Sequence, residues 1–88
     1  MKVEYTPRFA RDLRKSIPPD AYPRVEVVIL KLKAAANLME VSNVEALAGR
    51  TGYFRLRVGD YQLGFQFSRQ TAVLLRIAHR REIYRDFP

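Results

Sequence analysis

Apolar residues in the first forty positions recur at the spacing of α-helices. A short alternating strand is predicted at residues 2–5, and a first helix follows with Thr6 as its N-cap and Pro7 at its first position, where a missing N–H loses no partner. The apolar face of this helix is formed by Phe9, Leu13 and Ile17. A pair of prolines ends it. Asp20 is placed to cap a second helix, which is expected to pair with the first in antiparallel fashion and has an apolar face of Val25, Val28, Ile29, Leu32, Ala36 and Met39.

From residue 53 the apolar period changes to two, which is the spacing of strands with one buried face. Residues 53–58 and 61–67 both alternate, and Gly59 with Asp60 forms a two-residue turn between them. A turn of this length predicts the cross-strand pairs Arg57–Gln62, Leu56–Leu63, Arg55–Gly64 and Phe54–Phe65. Apolar residues face apolar residues and polar face polar in these pairs, as a half-buried sheet requires.

A last strand is predicted at residues 73–80, with alternate side chains on opposite faces. Val73, Leu75 and Ile77 are expected to face the core, and Leu74, Arg76, Ala78 and Arg80 to face away. Residues 41–52 have no clear period and predict a loop with at most one short turn of helix. The predicted fold class is α+β, a single domain over residues 1–88 with the order β-α-α-β-β-β and a short C-terminal helix or tail. The helix pair is expected to pack on one face of a small, mainly antiparallel sheet.

The sheet face opposite the helices is predicted to be strongly basic. Its members are Arg55, Arg57, Gln62, Gly64, Gln66, Arg76 and Arg80. Exposed sheet faces usually mix charges of both signs, whereas no carboxylate is expected on the central strands of this one. The glycine in the middle leaves room for a ligand to approach. We therefore favour a binding surface over an ordinary solvated face.

Composition agrees with a small basic domain. The chain has 88 residues, a hydrophobic fraction of 48% and a formal net charge of +7, and twelve of its sixteen cationic side chains are arginine. This balance points to a nucleic acid, the ribosome or an acidic protein as partner. There is no cysteine, which excludes disulfides and thiolate metal sites. No apolar run is long enough to span a membrane or to act as a signal peptide, so a soluble, cytoplasmic protein is expected.

The basic face has the residue types that cleavage of RNA by its own 2′-hydroxyl requires. That reaction needs a base, an acid for the leaving 5′-oxygen, and cations for the charge on the phosphorane. His79 is the one histidine available as an acid or base, although its position on the core-facing side of the strand also suits a structural, hydrogen-bonded histidine. Tyr84 can act as acid or base, stack on a nucleobase, or simply dock the C-terminus. Phe87 is expected to dock the C-terminus on the sheet. A lone histidine without clustered acids predicts no metal site and no cofactor.

Two stretches, "GYFRLRVGDYQLGFQF" and "VLLRIAHRREIYRDFP", resemble the RelE-type toxins of the RelE/ParE toxin–antitoxin superfamily. The resemblance implies a helix pair against an antiparallel sheet and a metal-independent endoribonuclease that cleaves mRNA in the ribosomal A site and so inhibits translation. It implies that Arg55 and Arg57 contact phosphate, that Arg80 stabilises the transition state and that Tyr84 stacks on the base or assists proton transfer. His79 and Arg81 lie inside the same motif. The candidate catalytic set is Arg57, His79, Arg80 and Tyr84, and the RNA-binding set is Arg55, Arg57, Gln62, Arg76 and Arg81.

One departure from the family pattern keeps other functions open. Members usually have "DYR" where this chain has "DYQ", so Gln62 brings no charge to the phosphate. Losing one cation there costs about 2 to 4 kcal/mol of transition-state stabilisation, unless Arg76 substitutes for it. The alternatives are a ParE-like inhibitor of DNA gyrase and a weakened toxin retained as an antitoxin-binding module. The expected partners are a cognate antitoxin with an acidic or amphipathic wrapping segment, the ribosome and mRNA, and operator DNA only through the antitoxin complex; no membrane is expected.

Overall fold

A five-stranded sheet with helices packed against it forms the body of the protein. The computed structural model describes the backbone of residues 1–87 and the side chains of residues 1–83 and 87. In chain order the strands and α-helices are β1 (Lys2–Tyr5), α1 (Pro7–Ser16), α2 (Tyr22–Ala34), β2 (Val44–Ala46), β3 (Tyr53–Val58), β4 (Tyr61–Ser68), β5 (Thr71–His79) and α3 (Arg80–Asp86). The sheet order is β1-β5-β4-β3-β2, with β1 parallel to β5 and every other pair antiparallel. The predicted α+β class is confirmed.

The first helix begins as predicted, and the second does not. Thr6 caps α1, since its hydroxyl oxygen accepts a hydrogen bond from the backbone N–H of Phe9 at 3.1 Å. Asp20 is not the cap of α2, because it lies within a single 3₁₀ turn, Pro19–Ala21, that precedes the helix. The second helix also stops at Ala34, so the expectation that its apolar face extends to Met39 is wrong. A second 3₁₀ turn follows, and Met39 is 96% exposed.

The hairpin of β3 and β4 has the predicted register. All four predicted pairs are present, and Gly59 has a φ of 61°, which explains the glycine at the first turn position. The segment before the hairpin was expected to be a loop, and instead it contributes β2, whose central residue Glu45 lies opposite Arg55. Three residues are too few to show a period, which is why the sequence pattern missed this strand.

A β-bulge in β5 reverses the predicted facing of its first half. The register shifts beside Gly64 and Phe65, so that Gly64 lies opposite Arg76 while Phe65 lies opposite Leu74. Leu75 is the extra residue, and every side chain before it is therefore on the opposite face from the one predicted. Leu74 is fully buried in the core, contrary to expectation, and the predicted core positions of Val73 and Leu75 are wrong. Ile77, which follows the bulge, faces the core as predicted.

The main core lies between one sheet face and the two long helices. Helix α1 packs along β5, and α2 contacts β1 and β3. The largest fully buried side chains of this core are Phe9, Leu32, Leu56, Leu63, Phe65, Leu74 and Ile77. Among the described residues, no helix is both long and apolar enough to cross a membrane. The second sheet face, which we call the polar face, is the one that concerns function.

Candidate functional site

Two rows of side chains cross the polar face of the central strands. Arg55, Gly64 and Arg76 lie opposite one another on β3, β4 and β5, and Arg57 and Gln62 form the start of the next row. This alignment follows from the two-residue hairpin turn and from the bulge. The predicted arginine row around a central glycine is therefore present on the sheet.

A polar cavity of about 250 Å³ opens at the β2 side of this face. Three of the predicted RNA-binding residues, Arg55, Arg57 and Gln62, line it together. Arg57 is exposed and free to meet a ligand, whereas Gln62 is only 7% exposed. The cavity therefore presents charge mainly through the two arginines on β3. We call it the polar cavity.

A carboxylate also lines the polar cavity, and it comes from the edge strand β2 rather than from the central strands, which were expected to have none. Glu45 on β2 accepts a charge-assisted hydrogen bond from Nη2 of Arg55 at 2.9 Å, while its own side chain remains 73% exposed. Glu45 was not among the predicted site residues, because β2 was expected to be part of a loop. The signal was weak, since Glu45 lies ten residues before its partner in a segment without a period.

Arg76 is engaged on the other side of the face. Its Nε donates to Oδ2 of Asp12 on α1 at 2.7 Å, and the same oxygen accepts the backbone N–H of Ile77 at 3.1 Å. Both side chains of this ion pair are largely buried, at 14% and 9% exposure. Arg76 does not line the polar cavity, and Asp12 already compensates its charge. It is therefore poorly placed to substitute for a missing cation at residue 62.

The C-terminal helix brings the motif residues back over the sheet. Arg80 and Arg81 are exposed in its first turn, and the backbone N–H of Arg80 donates to the carbonyl of Asp60 in the hairpin turn at 3.0 Å. These two arginines are thus held beside the hairpin. The side chain of Tyr84 lies outside the described residues, so its predicted role stays a prediction.

His79 occupies a structural position. It lies opposite Tyr61 at the end of β5, with the two rings edge to face at 5.9 Å, and so it shares the core-facing side with that tyrosine. Its Nδ1 accepts the backbone N–H of Arg81 at 3.3 Å and caps α3. The structure does not bring His79 into the polar cavity. This geometry favours the structural interpretation of the histidine over a catalytic one.

Phe87 docks on the polar face, as predicted. Its ring fills the space above Gly64, because a Cβ on that glycine would lie 2.7 Å from two ring carbons. The same ring makes an edge contact with Tyr53, with centroids 6.2 Å apart. The room left by the central glycine is thus filled by the chain's own C-terminus. Within the described part of the chain, no group of three or more histidine and acidic side chains could hold a metal ion.

The fold and this arrangement of arginines can be compared with known proteins. Residues 3–84 match the family model described as the ParE toxin of type II toxin–antitoxin system, parDE. The chain therefore belongs to the RelE/ParE family of type II toxins. It is 30% identical to Toxin RelE3 of Methanocaldococcus jannaschii over 89 aligned positions that cover 100% of both chains.

Solved structures agree with this assignment. The crystal structure of the RelB–RelE antitoxin–toxin complex from Methanococcus jannaschii matches with a TM-score of 0.78 and 27% identity, covering 97% of this chain and 99% of that one. The toxin–antitoxin complex RelBE2 from Mycobacterium tuberculosis matches with a TM-score of 0.60 and 28% identity, covering 90% and 96%. The predicted membership of the RelE/ParE superfamily is confirmed.

Proposed function

We propose that this toxin is a ribosome-dependent, metal-independent mRNA endonuclease that cuts within the A-site codon and is neutralised by a cognate antitoxin. The observation that carries the proposal is the polar cavity, in which Arg55 and Arg57 lie on one strand and Glu45 on the next. Cations and a carboxylate in one concave site are the groups that 2′-hydroxyl attack on a phosphodiester uses. The full-length similarity to Toxin RelE3 supports a role as a toxin.

The two arginines act on the phosphate. A phosphodiester group that enters the polar cavity competes with Glu45 for the guanidinium of Arg55. Phosphate oxygens and carboxylate oxygens both accept hydrogen bonds from the same guanidinium N–H groups. The exposed Arg57 then binds a second non-bridging oxygen. As charge develops on the phosphorane, both guanidinium groups hold it without reorganising. Arg80, at the start of α3, is proposed to add a third cation from the hairpin side.

The displaced carboxylate of Glu45 is the proposed base. It accepts the proton of the 2′-hydroxyl, and that oxygen attacks the phosphorus and expels the 5′-oxygen. The leaving oxygen takes a proton from the phenol of Tyr84, in the role that the sequence motif assigns to it. The products are a 2′,3′-cyclic phosphate and a 5′-hydroxyl, and no metal ion is required. His79 has no part in this scheme beyond capping α3.

Primer extension on mRNA in a reconstituted translation reaction tests the proposal. New cuts are expected within the A-site codon, and Arg57→Ala, Arg80→Ala, Glu45→Gln and Tyr84→Phe should each reduce their rate by about tenfold or more. Arg11→Ala, which removes an exposed cation from α1, should leave the rate unchanged. Uncut message in the presence of folded protein would refute the endonuclease. If all four site variants cut the message at the rate of the parent protein, the assignment of the site is refuted.

A second candidate, inhibition of DNA gyrase, is favoured by the family model itself, whose description is that of a ParE toxin. This function would use the basic surface to bind a protein and would need no cleavage chemistry. A supercoiling assay with purified gyrase separates the two functions. If the protein inhibits supercoiling by gyrase and leaves the message uncut, the ParE-like function is favoured. If gyrase remains active and the message is cut, the endonuclease is favoured.

The antitoxin is proposed to bind the apolar groove between α1 and α2. This groove has a volume of about 650 Å³, and its lining includes Tyr5 and Leu30, which are 50% and 54% exposed. Its charged lining residues are Arg14, Lys33 and Glu26, and the two cations suit acidic side chains on the partner. An amphipathic, acidic segment that folds on binding meets both requirements.

Charge placed in the groove tests this docking site. Leu30→Glu should weaken antitoxin binding at least tenfold in calorimetric titration, because it buries a like charge among apolar contacts. Val27→Glu is the matched control, since Val27 is 49% exposed on the same helix but does not line the groove. If Leu30→Glu and Val27→Glu bind the antitoxin with equal affinity, this groove is not the docking site.

A further inference from the structure

We propose that a second depression on the polar face, built around Arg50 and Tyr53, binds an unstacked nucleobase of the RNA strand next to the cleaved phosphodiester. The inference rests on the proposed nuclease function and adds to it a subsite that contributes to base preference. The depression has a volume of about 400 Å³, and its lining includes Arg8, Arg50, Tyr53, Leu75, Arg76 and Phe87. We call it the aromatic depression.

The side chains of the aromatic depression are of the kind that recognises single-stranded RNA. The guanidinium carbon of Arg50 lies 5.6 Å from the centroid of the Tyr53 ring, within the range of a cation–π contact. Tyr53 also makes an edge contact with the ring of Phe87. Unstacked bases bind on aromatic rings and on arginine guanidinium planes, and both surfaces are present here.

The position of the aromatic depression suits a neighbouring nucleotide. Tyr53, Arg55 and Arg57 are alternate residues of β3 and so share the polar face. At a strand rise of roughly 3.3 Å per residue, Tyr53 lies about 7 Å from Arg55 and about 13 Å from Arg57 along the strand. A strand whose phosphate enters the polar cavity therefore passes the aromatic depression with its next base. Phe87, above Gly64, separates the two sites.

Arg50 supplies uncompensated charge to the aromatic depression. The single carboxylate of Asp12 pairs with Arg76 at 2.7 Å and offsets its charge, and it lies 4.0 Å from the exposed Arg8. No carboxylate pairs with Arg50 in the part of the chain that the structure describes. Arg50 is exposed, and it lies in the turn before β3, where the backbone N–H of Tyr53 donates to its carbonyl at 3.2 Å. The guanidinium can therefore close over a base that enters from solvent.

The test separates base recognition from general attraction of RNA. Binding of a short single-stranded RNA is measured by fluorescence anisotropy at low salt, with a 2′-deoxy nucleotide at the cleavage position so that no cut occurs. A second RNA is identical except for an abasic nucleotide next to that position. Loss of one stacked base weakens binding on the order of tenfold. The intact RNA should therefore bind the parent protein about tenfold more tightly than the abasic RNA.

Substitutions at Arg50 complete the double-mutant cycle. Arg50→Ala should weaken the intact RNA about tenfold and the abasic RNA much less, because the partner base is already absent. Arg50→Lys should restore affinity only in part, since an ammonium has no plane to stack. Arg11→Ala is the control for loss of one exposed cation. Equal losses on both RNAs would show that Arg50 acts as charge alone, and would overturn the subsite.

Mapping of cut sites on ribosome-bound message identifies which RNA supplies the base. If the message supplies it, Arg50→Ala should change the distribution of bases beside the cuts. A uniform fall in cutting with an unchanged distribution would assign the base to ribosomal RNA and overturn the message subsite. If the parent protein cuts no message but shows the cycle with the two RNAs, the nuclease proposal fails and the base site stands. If message is cut but Arg50→Ala weakens the intact and the abasic RNA equally, only the base site fails.

Discussion

Replacement of Asp12 gives the sharpest test of how the polar face is held in place. Asp12 is 7% exposed, and its Oδ2 accepts from both the side chain of Arg76 and the backbone of Ile77. Asp12→Ala leaves a largely buried guanidinium without its carboxylate and a buried N–H without an acceptor. Breaking such a buried pair costs about 3 to 5 kcal/mol, of which the orphaned N–H accounts for about 1 to 3.

That loss is large against the total stability of a small domain, which is about 5 to 15 kcal/mol. With a urea m-value near 1 kcal/mol/M, the unfolding midpoint of Asp12→Ala should fall by about 3 to 5 M. Asp12→Asn should lose less, because an amide oxygen still accepts the N–H of Ile77. Asp20→Ala, an exposed carboxylate in the 3₁₀ turn, is the control and should change stability by less than about 0.5 kcal/mol.

Circular dichroism across a urea series is sufficient for the measurement. If Asp12→Ala loses less than about 1 kcal/mol, the buried pair does not brace β5 and our account of the bulge is wrong. If Asp12→Asn is as damaging as Asp12→Ala, the N–H contributes little and the charge of Arg76 accounts for the loss. The urea unfolding curves of the parent protein, Asp12→Ala and Asp12→Asn are sufficient to detect either result.

Two further substitutions test contacts around the polar face. Gly64→Ala should push Phe87 off the sheet and raise amide hydrogen exchange in α3, because the new Cβ would lie 2.7 Å from the ring; Phe87→Ala in the same chain should abolish the effect of the added methyl, and additive changes would contradict the contact. Thr6→Ala should lower the free energy of unfolding by about 1 to 2 kcal/mol, since Thr6 both caps α1 and donates to the carbonyl of Leu74 at 2.8 Å. Thr6→Ser keeps both bonds and should lose little; equal losses for the two variants would mean that the hydroxyl is not responsible.

The hairpin could be predicted from sequence because its determinants are local. A two-residue turn with glycine first sets the register, and each strand is long enough to show its alternation. Arg55 and Arg57 were therefore placed on the correct face without any structure. The same holds for the cap of α1, where Thr6 and Pro7 are adjacent in the chain.

The features that the sequence did not reveal depend on distant partners. Glu45 lies on a strand of three residues that forms only because β3 offers it an edge. No glycine or proline in β5 marks the bulge at Leu75. The strand beside the bulge is held by Asp12, some sixty residues earlier, which accepts the backbone N–H of Ile77. Local propensity cannot report such contacts, so β2, the facing of β5 and the neutralisation of Arg76 all required the structure.

The strand order has a consequence for how the toxin folds. β5, the last of these five strands in chain order, lies between β1 and β4 in the interior of the sheet. Until residues 71–79 are available, β1 has no partner strand, α1 lacks the strand it packs along, and the ion pair between Asp12 and Arg76 cannot form. Closing contacts that span nearly the whole chain is slow, because the loop entropy is lost before those contacts stabilise the fold. A chain without residues 71–79 is thus unable to adopt this fold, and β5 completes it.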